Sequence, residues 1–250
     1  MKRTNYFYID EAGNLGNNSD FFIHGCIKTD NPSILKKAIE TLRQELLDDL
    51  YFEAFVERIN SEGFHAVENH PDIRTHFYKI LPLLDYRSYF VILDKKSDFY
   101  NNLKSEKSEF EIFEYSLRKL LKDRIVKNKN DKNIFYFEQI DIKGKSLNRI
   151  LNDFFKSMSF ADNCEYYIVD KTEENLSVVD YLNYIFIQIL NGLKKVKKVN
   201  SKYDRMKLNF DLVSSKIGLI NVLNNDSFLS RKKAENKKVN YDNFINEFGG

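Results

Sequence analysis

The chain has no tryptophan, three prolines, two cysteines and nine glycines in 250 residues. Two cysteines, Cys26 and Cys164, stand too far apart for a metal-type pair and too few for a disulfide framework, which implies a reduced, cytoplasmic setting. No Pro-, Ser- or Gly-rich linker divides the chain, so one large domain is expected. No stretch approaches the roughly 20 apolar residues of a membrane span, and residues 1–15 carry no signal-peptide pattern. No membrane partner is expected. A Gly-x-x-x-x-Gly-Lys-Ser/Thr loop is missing, which argues against a P-loop nucleoside triphosphatase. So is a Gly-x-Ser-x-Gly elbow, which leaves an esterase-type hydrolase without support. Net charge is only +2, so any attraction for nucleic acid must come from local patches.

What the chain does have is aromatic and aliphatic bulk, with 21 Phe and 15 Tyr. Short runs of it alternate with helical patterns. Residues 5–10, 21–27, 89–94, 134–138 and 166–170 read as strands, and a short extended piece is expected at Phe64-His65-Ala66. Asn31-Pro32 starts a helix striped by Leu35, Ala38, Ile39, Leu42 and Leu46. His70-Pro71 opens another, whose last turn Pro82 distorts. Ser108 and Glu111 fit a capping box, and further helices cover Leu147 to Phe155 and begin near Ser177. This alternation predicts an α/β fold, a mixed sheet with helices on both faces. The expected organisation is a domain over 1–193, with 194–250 as a basic, helical C-terminal extension packed on it.

Acids recur where the strands end: Asp10-Glu11, Asp94, Glu138 and Asp170, with Asp180 ten residues after the last. Carboxylates gathered at one end of a sheet repel unless a cation neutralises them, which is the logic of two-metal phosphodiesterases. The competing reading is that strand ends are loop starts and Asp favours turns. Asp180 has a structural alternative as well, since Ser177-x-x-Asp180 resembles a capping box. His65, flanked by Glu62 and Glu68, can move protons near neutrality or serve as a structural hydrogen-bonder. Arg58 and His65 also have a spacing found in metal-independent helical ribonucleases, but Gly63 and Phe64 between them oppose a continuous helix. Residues 194–207 carry seven basic residues against one Asp. Lys194, Lys195, Lys197 and Lys198 are candidate phosphate contacts, and Tyr203 can stack on a base. The alternative is a solvated helix end whose lysines complement the dipole.

Phe7-Tyr8-Ile9-Asp10-Glu11-Ala12-Gly13 followed by a hairpin strand resembles the opening motif of the bacterial family known as DUF3800, usually Tyr-x-Asp-Glu-Ser-Gly. Phe64-His65-Ala66 is similar to its middle histidine motif, Phe137-Glu138 to its later acidic strand, and Val179-Asp180-Tyr181 to its closing Asp. Ala12 departs from the usual Ser, and Ser177 and Val179 from the usual Gln and Ala. The resemblance spans roughly residues 5–220 and implies a ribonuclease H-like fold and a metal-dependent nuclease, in a family linked to mobile elements or phage defence. With the strand-end pattern it points to Mg²⁺ or Mn²⁺ on Asp10, Glu138 and Asp180; Glu11, Asp94 and Asp170, acids at strand ends, are further candidates, and His65 is a candidate to handle protons. Nucleic acid is the expected partner. A non-catalytic adaptor with the same fold, binding protein or nucleic acid, is the competing expectation.

Overall fold

Phe7 and Ile9 point one way along the first strand and Tyr8 the other, and all three are buried. A strand apolar on both sides belongs in the middle of a layered sheet. The computed structural model, which describes residues 2–16, 19–142, 145–158, 161–193 and 201–249, places it there. β1 (Thr4–Gly13) pairs antiparallel with β2 (Phe21–Thr29) and parallel with β4 (Lys132–Glu138). β3 (Arg87–Asp94) runs antiparallel to β2, and β7 (Cys164–Val169) runs parallel to β4. Beyond β3 lie β8 (Ile217–Val222), parallel to it, and β9 (Ser227–Ser230). The order across the sheet is β7-β4-β1-β2-β3-β8-β9. A separate two-stranded ribbon joins β5 (Asp141–Ile142) to β6 (Lys145–Ser146).

Helices cover both faces. On one side Phe7, Ile9 and Phe135 pack with α5 (Glu109–Lys127) and α6 (Leu147–Ser157), through Leu117, Leu121, Leu151 and Phe154. α4 (Asp98–Glu106) contributes Tyr100 to the same core. On the other side Tyr8, Ile23, Phe90 and Ile92 meet α1 (Pro32–Asp48), α2 (Val56–Glu62), α3 (Pro71–Ile80) and α7 (Leu176–Leu193). α7 is apolar nearly all round, as a helix enclosed between a sheet and other helices must be. It has the length and hydropathy of a membrane span, yet most of it is buried within this domain. α8 (Ser201–Val213) and α9 (Tyr241–Asn246) stack Phe210 and Phe244 against Phe186 of α7.

The mixed α/β architecture matches the sequence reading, and the capping box at Ser108 and Glu111 forms in full. Three details differ. β1 runs on to Gly13, so Asp10 lies inside a strand rather than at its end. Phe64-His65-Ala66 joins no sheet and leads into a turn at Ala66, where Gly63 adopts a positive φ and Asn69 gathers the loop by accepting the His65 N–H. Beyond the expected boundary at 193, the described residues 217–230 are not helical: β8 and β9 hydrogen-bond into the central sheet.

Candidate metal centre

The parallel register of β1 and β4 sets Ile9 beside Phe137, so Asp10 and Glu138 follow as neighbours on one face of the sheet. That face is covered by α7, which brings Asp180 and Asn183 from above β1 and β2 at i and i+3. Asp10 is buried, Glu11 and Glu138 half-buried. Asn183 is fully buried and donates from Nδ2 to Asp10 Oδ2 at 3.3 Å. Asp180 is held from the other side, where the Ala66 N–H donates to its Oδ2 at 2.8 Å. The His65 Nδ1 stands 3.7 Å from the same oxygen. Arg74 Nη1 donates to the carbonyls of Ala66 and Asn69, and the Tyr181 hydroxyl donates to Asn69 Oδ1. The histidine loop is thereby clamped to α7.

Crowding shows in the proton affinities. Burial, reinforced by the charges of Glu11, Asp180 and Glu138 and by a hydrogen bond to Glu138, holds the Asp10 carboxyl well above the usual carboxylate range. Burial and Glu138 push Glu11 up to about 8, against the opposing pull of Lys171. His65 is raised from the ordinary imidazole range by Asp180, with burial opposing. Without a cation, the same burial and crowding favour the neutral form of Asp10.

The donor set fits a hard divalent ion, which prefers carboxylate oxygens and competes with protons for them. Asp10, Glu138 and Asp180 are the groups that would hold it. Among the described residues no three His, Cys, Asp or Glu side chains surround a common point at ligating distance.

Two sequence candidates lie elsewhere. Asp94 is at the far end of β3, four residues beyond Phe90, which shares Gly25 as a register neighbour with Asp10. Its carboxylate accepts the Lys96 N–H at 2.9 Å. Asp170 is exposed and accepts the N–H and hydroxyl of Thr172, which hold it below the usual range. Both acids open turns, the role that competed with metal binding for them. Asp180 is not part of a capping box, since Ser177 lies inside the helix and donates back to the Glu174 carbonyl at 2.6 Å. Lys194, Lys195, Lys197 and Lys198 lie outside the described residues, as does the side chain of Tyr203.

Asn183, Gly25 and Lys171 escaped the sequence reading. Only the i, i+3 spacing from Asp180 pointed to Asn183. Gly25 stands where a Cβ would strike Asn183 Oδ1 and come within 2.9 Å of Val179 Cγ2. Gly25→Ala is therefore expected to cost about 1–3 kcal/mol of stability by overpacking. Chemical denaturation checks this, and Asn183→Ala in the same chain should recover part of the loss.

Stability without metal should also depend on pH. The folded chain holds the Glu11 proton up to about 8, whereas the unfolded chain releases it in the ordinary glutamate range. Unfolding between those limits releases a proton, so stability falls as pH rises across that window and levels off above it. Melting temperatures in chelator from pH 5 to 8.5 should decline, and Glu11→Gln should flatten the decline. A flat wild-type profile would remove Glu11 from the crowded cluster.

No protein-family model matches the chain, and no curated protein matches it. Among solved structures, ribonuclease H2 from Pyrococcus horikoshii OT3 is similar over 83% of this chain and 85% of its own. Identity is 15% and the TM-score 0.42, a loose likeness of architecture.

Proposed function

We propose that the chain is a ribonuclease H-like, divalent-metal-dependent nuclease that hydrolyses phosphodiester bonds of RNA or DNA. The observation that carries this reading is the buried Asp10 beside Glu138, with Asp180 close enough to raise its proton affinity. Carboxylates pressed together in a buried place mark a site where positive charge belongs. Mg²⁺ or Mn²⁺ bound there would polarise the phosphate and lower the proton affinity of an attacking water. Asp10, Glu138 and Asp180 would hold the ion, and Asn183 orients Asp10. Asp180, fixed by the Ala66 N–H, orients His65 through Nδ1. The other ring nitrogen, Nε2, is then free to give a proton to the departing oxygen. The DUF3800 motifs support the same reading.

The unclosed ligand set favours a second reading, an adaptor that keeps the fold and binds without cleaving. The purified chain, incubated with labelled single- and double-stranded RNA and DNA in Mg²⁺ or Mn²⁺, should cut at least one substrate and stop in chelator. Cleavage that persists in chelator overturns metal dependence. Binding without cleavage under every condition assigns the chain to the adaptor class.

A further inference from the structure

The basic run that begins at Lys194 continues into α8, where Arg205 is described and exposed. Arg205, Leu208 and Leu212 follow at i, i+3 and i+7, one stripe of that helix. The stripe faces Arg74, Tyr78 and Lys79 of α3 across a groove of about 650 Å³. Leu208 and Leu212 are 62% and 53% exposed. Among the described residues three cations line this groove and no carboxylate does. The Arg74 charge is met only by neutral groups, two carbonyls and the Tyr184 ring.

The groove is joined to the candidate metal centre. Arg74 grips the carbonyl of Ala66, whose own N–H grips Asp180. Tyr184 lies one turn beyond Asp180 on α7 and also lines the groove. A chain lying in the groove therefore runs toward the carboxylates.

We propose that this groove binds the single-stranded segment of a nucleic acid adjoining the phosphate presented to Asp10 and Glu138. The inference rests on the nuclease reading and adds the substrate class. Cations without carboxylate neighbours complement phosphates. Exposed leucines complement unstacked base faces, which a duplex keeps inside its stack. An acidic amphipathic peptide would meet the same cations and leucines, and the test separates the two.

The test is fluorescence anisotropy in chelator, between about 50 and 200 mM salt, with a labelled single strand of about 15 nucleotides and its matched duplex. Wild type and Asp10→Asn should both bind the single strand more tightly than the duplex. Lys79→Ala with Arg205→Ala should reduce the slope of log affinity against log salt by about 1.4, since each phosphate contact on a single strand contributes about 0.7. Leu208→Ser with Leu212→Ser should weaken binding and leave the slope unchanged. An unchanged slope in the double cation variant overturns the proposal, as does a duplex bound as tightly as the strand. So does an acidic amphipathic peptide bound in place of either nucleic acid. Strand binding that tracks the groove variants without any cleavage in Mn²⁺ refutes the nuclease reading and leaves the groove standing. Cleavage that survives those variants with unchanged KM refutes the groove and leaves the nuclease.

Discussion

Asp10→Asn is expected to slow metal-dependent cleavage by at least about a hundredfold, equivalent to about 2.7 kcal/mol of barrier. The side chain keeps its size and an oxygen able to accept the Asn183 Nδ2 hydrogen bond, so the fold should persist. What is lost is a charge in the one place where Glu138 and Asp180 already press against it. A cation binds more weakly there, and the developing charge on the phosphate loses its main compensation. Asp94→Asn and Asp170→Asn supply the contrast, because each carboxylate accepts a local backbone N–H at a turn away from the Asp10 cluster. Their cleavage rates should stay within about twofold of wild type, since neither acid touches the Asp10 cluster and turn contacts carry little energy. Single-turnover rates at saturating Mn²⁺ make the comparison. If Asp94→Asn lost as much as Asp10→Asn, the centre would not be where the sheet register puts it.

Much of this arrangement was legible from local signals. Phe7 to Ile9 and Phe135 to Phe137 announce buried strands, and strands that alternate with amphipathic helices can hardly fold otherwise than as a layered sheet. The Ser108–Glu111 box marks a helix start through its own hydrogen bonds, which need no tertiary context. Position within the sheet was not legible. Asp10, Asp94, Glu138 and Asp170 look alike in the sequence, each an acid after an apolar run. Only strand order separates them, and strand order is set by long-range pairing. β3 lies beyond β2 and ends far from Asp10, while β4 lies beside β1 in a register that aligns the acids. The last two strands, β8 and β9, were hidden for a related reason. They are short, and a polar, lysine-rich sequence surrounds them. Their stability comes from joining β3 and from packing Ile220 and Leu229 into the core. Asn183 and Gly25 were invisible because each makes sense only through the other. The glycine leaves room for the amide, and the amide reaches Asp10.

Melting curves in two buffers separate a metal centre from a cluster of acids that merely coexist. In chelator the wild-type chain carries the repulsion among Asp10, Glu11, Glu138 and Asp180, relieved by the raised proton affinities of Asp10 and Glu11. Asparagine resembles the protonated acid, so Asp10→Asn should be at least as stable as wild type there. Its advantage should grow with pH, because ionising the wild-type cluster becomes unavoidable while the amide stays neutral. Mn²⁺ should reverse the order. A ligand at about 100 times its dissociation constant stabilises the state that binds it by about 2.7 kcal/mol. For a chain of this size that is a rise of roughly 5–10 °C in melting temperature. The variant, binding more weakly, should gain much less. Equal ionic strength in both buffers matters, since screening alone also softens repulsion between partly exposed acids such as Glu11 and Glu138. Ca²⁺ at the same concentration serves as a second control, because its larger, more flexible coordination shell tests whether the site selects for size. A rise of the same size in wild type and Asp10→Asn would mean that the ion binds elsewhere, and Asp10 would then be a buried acid without a metal to hold.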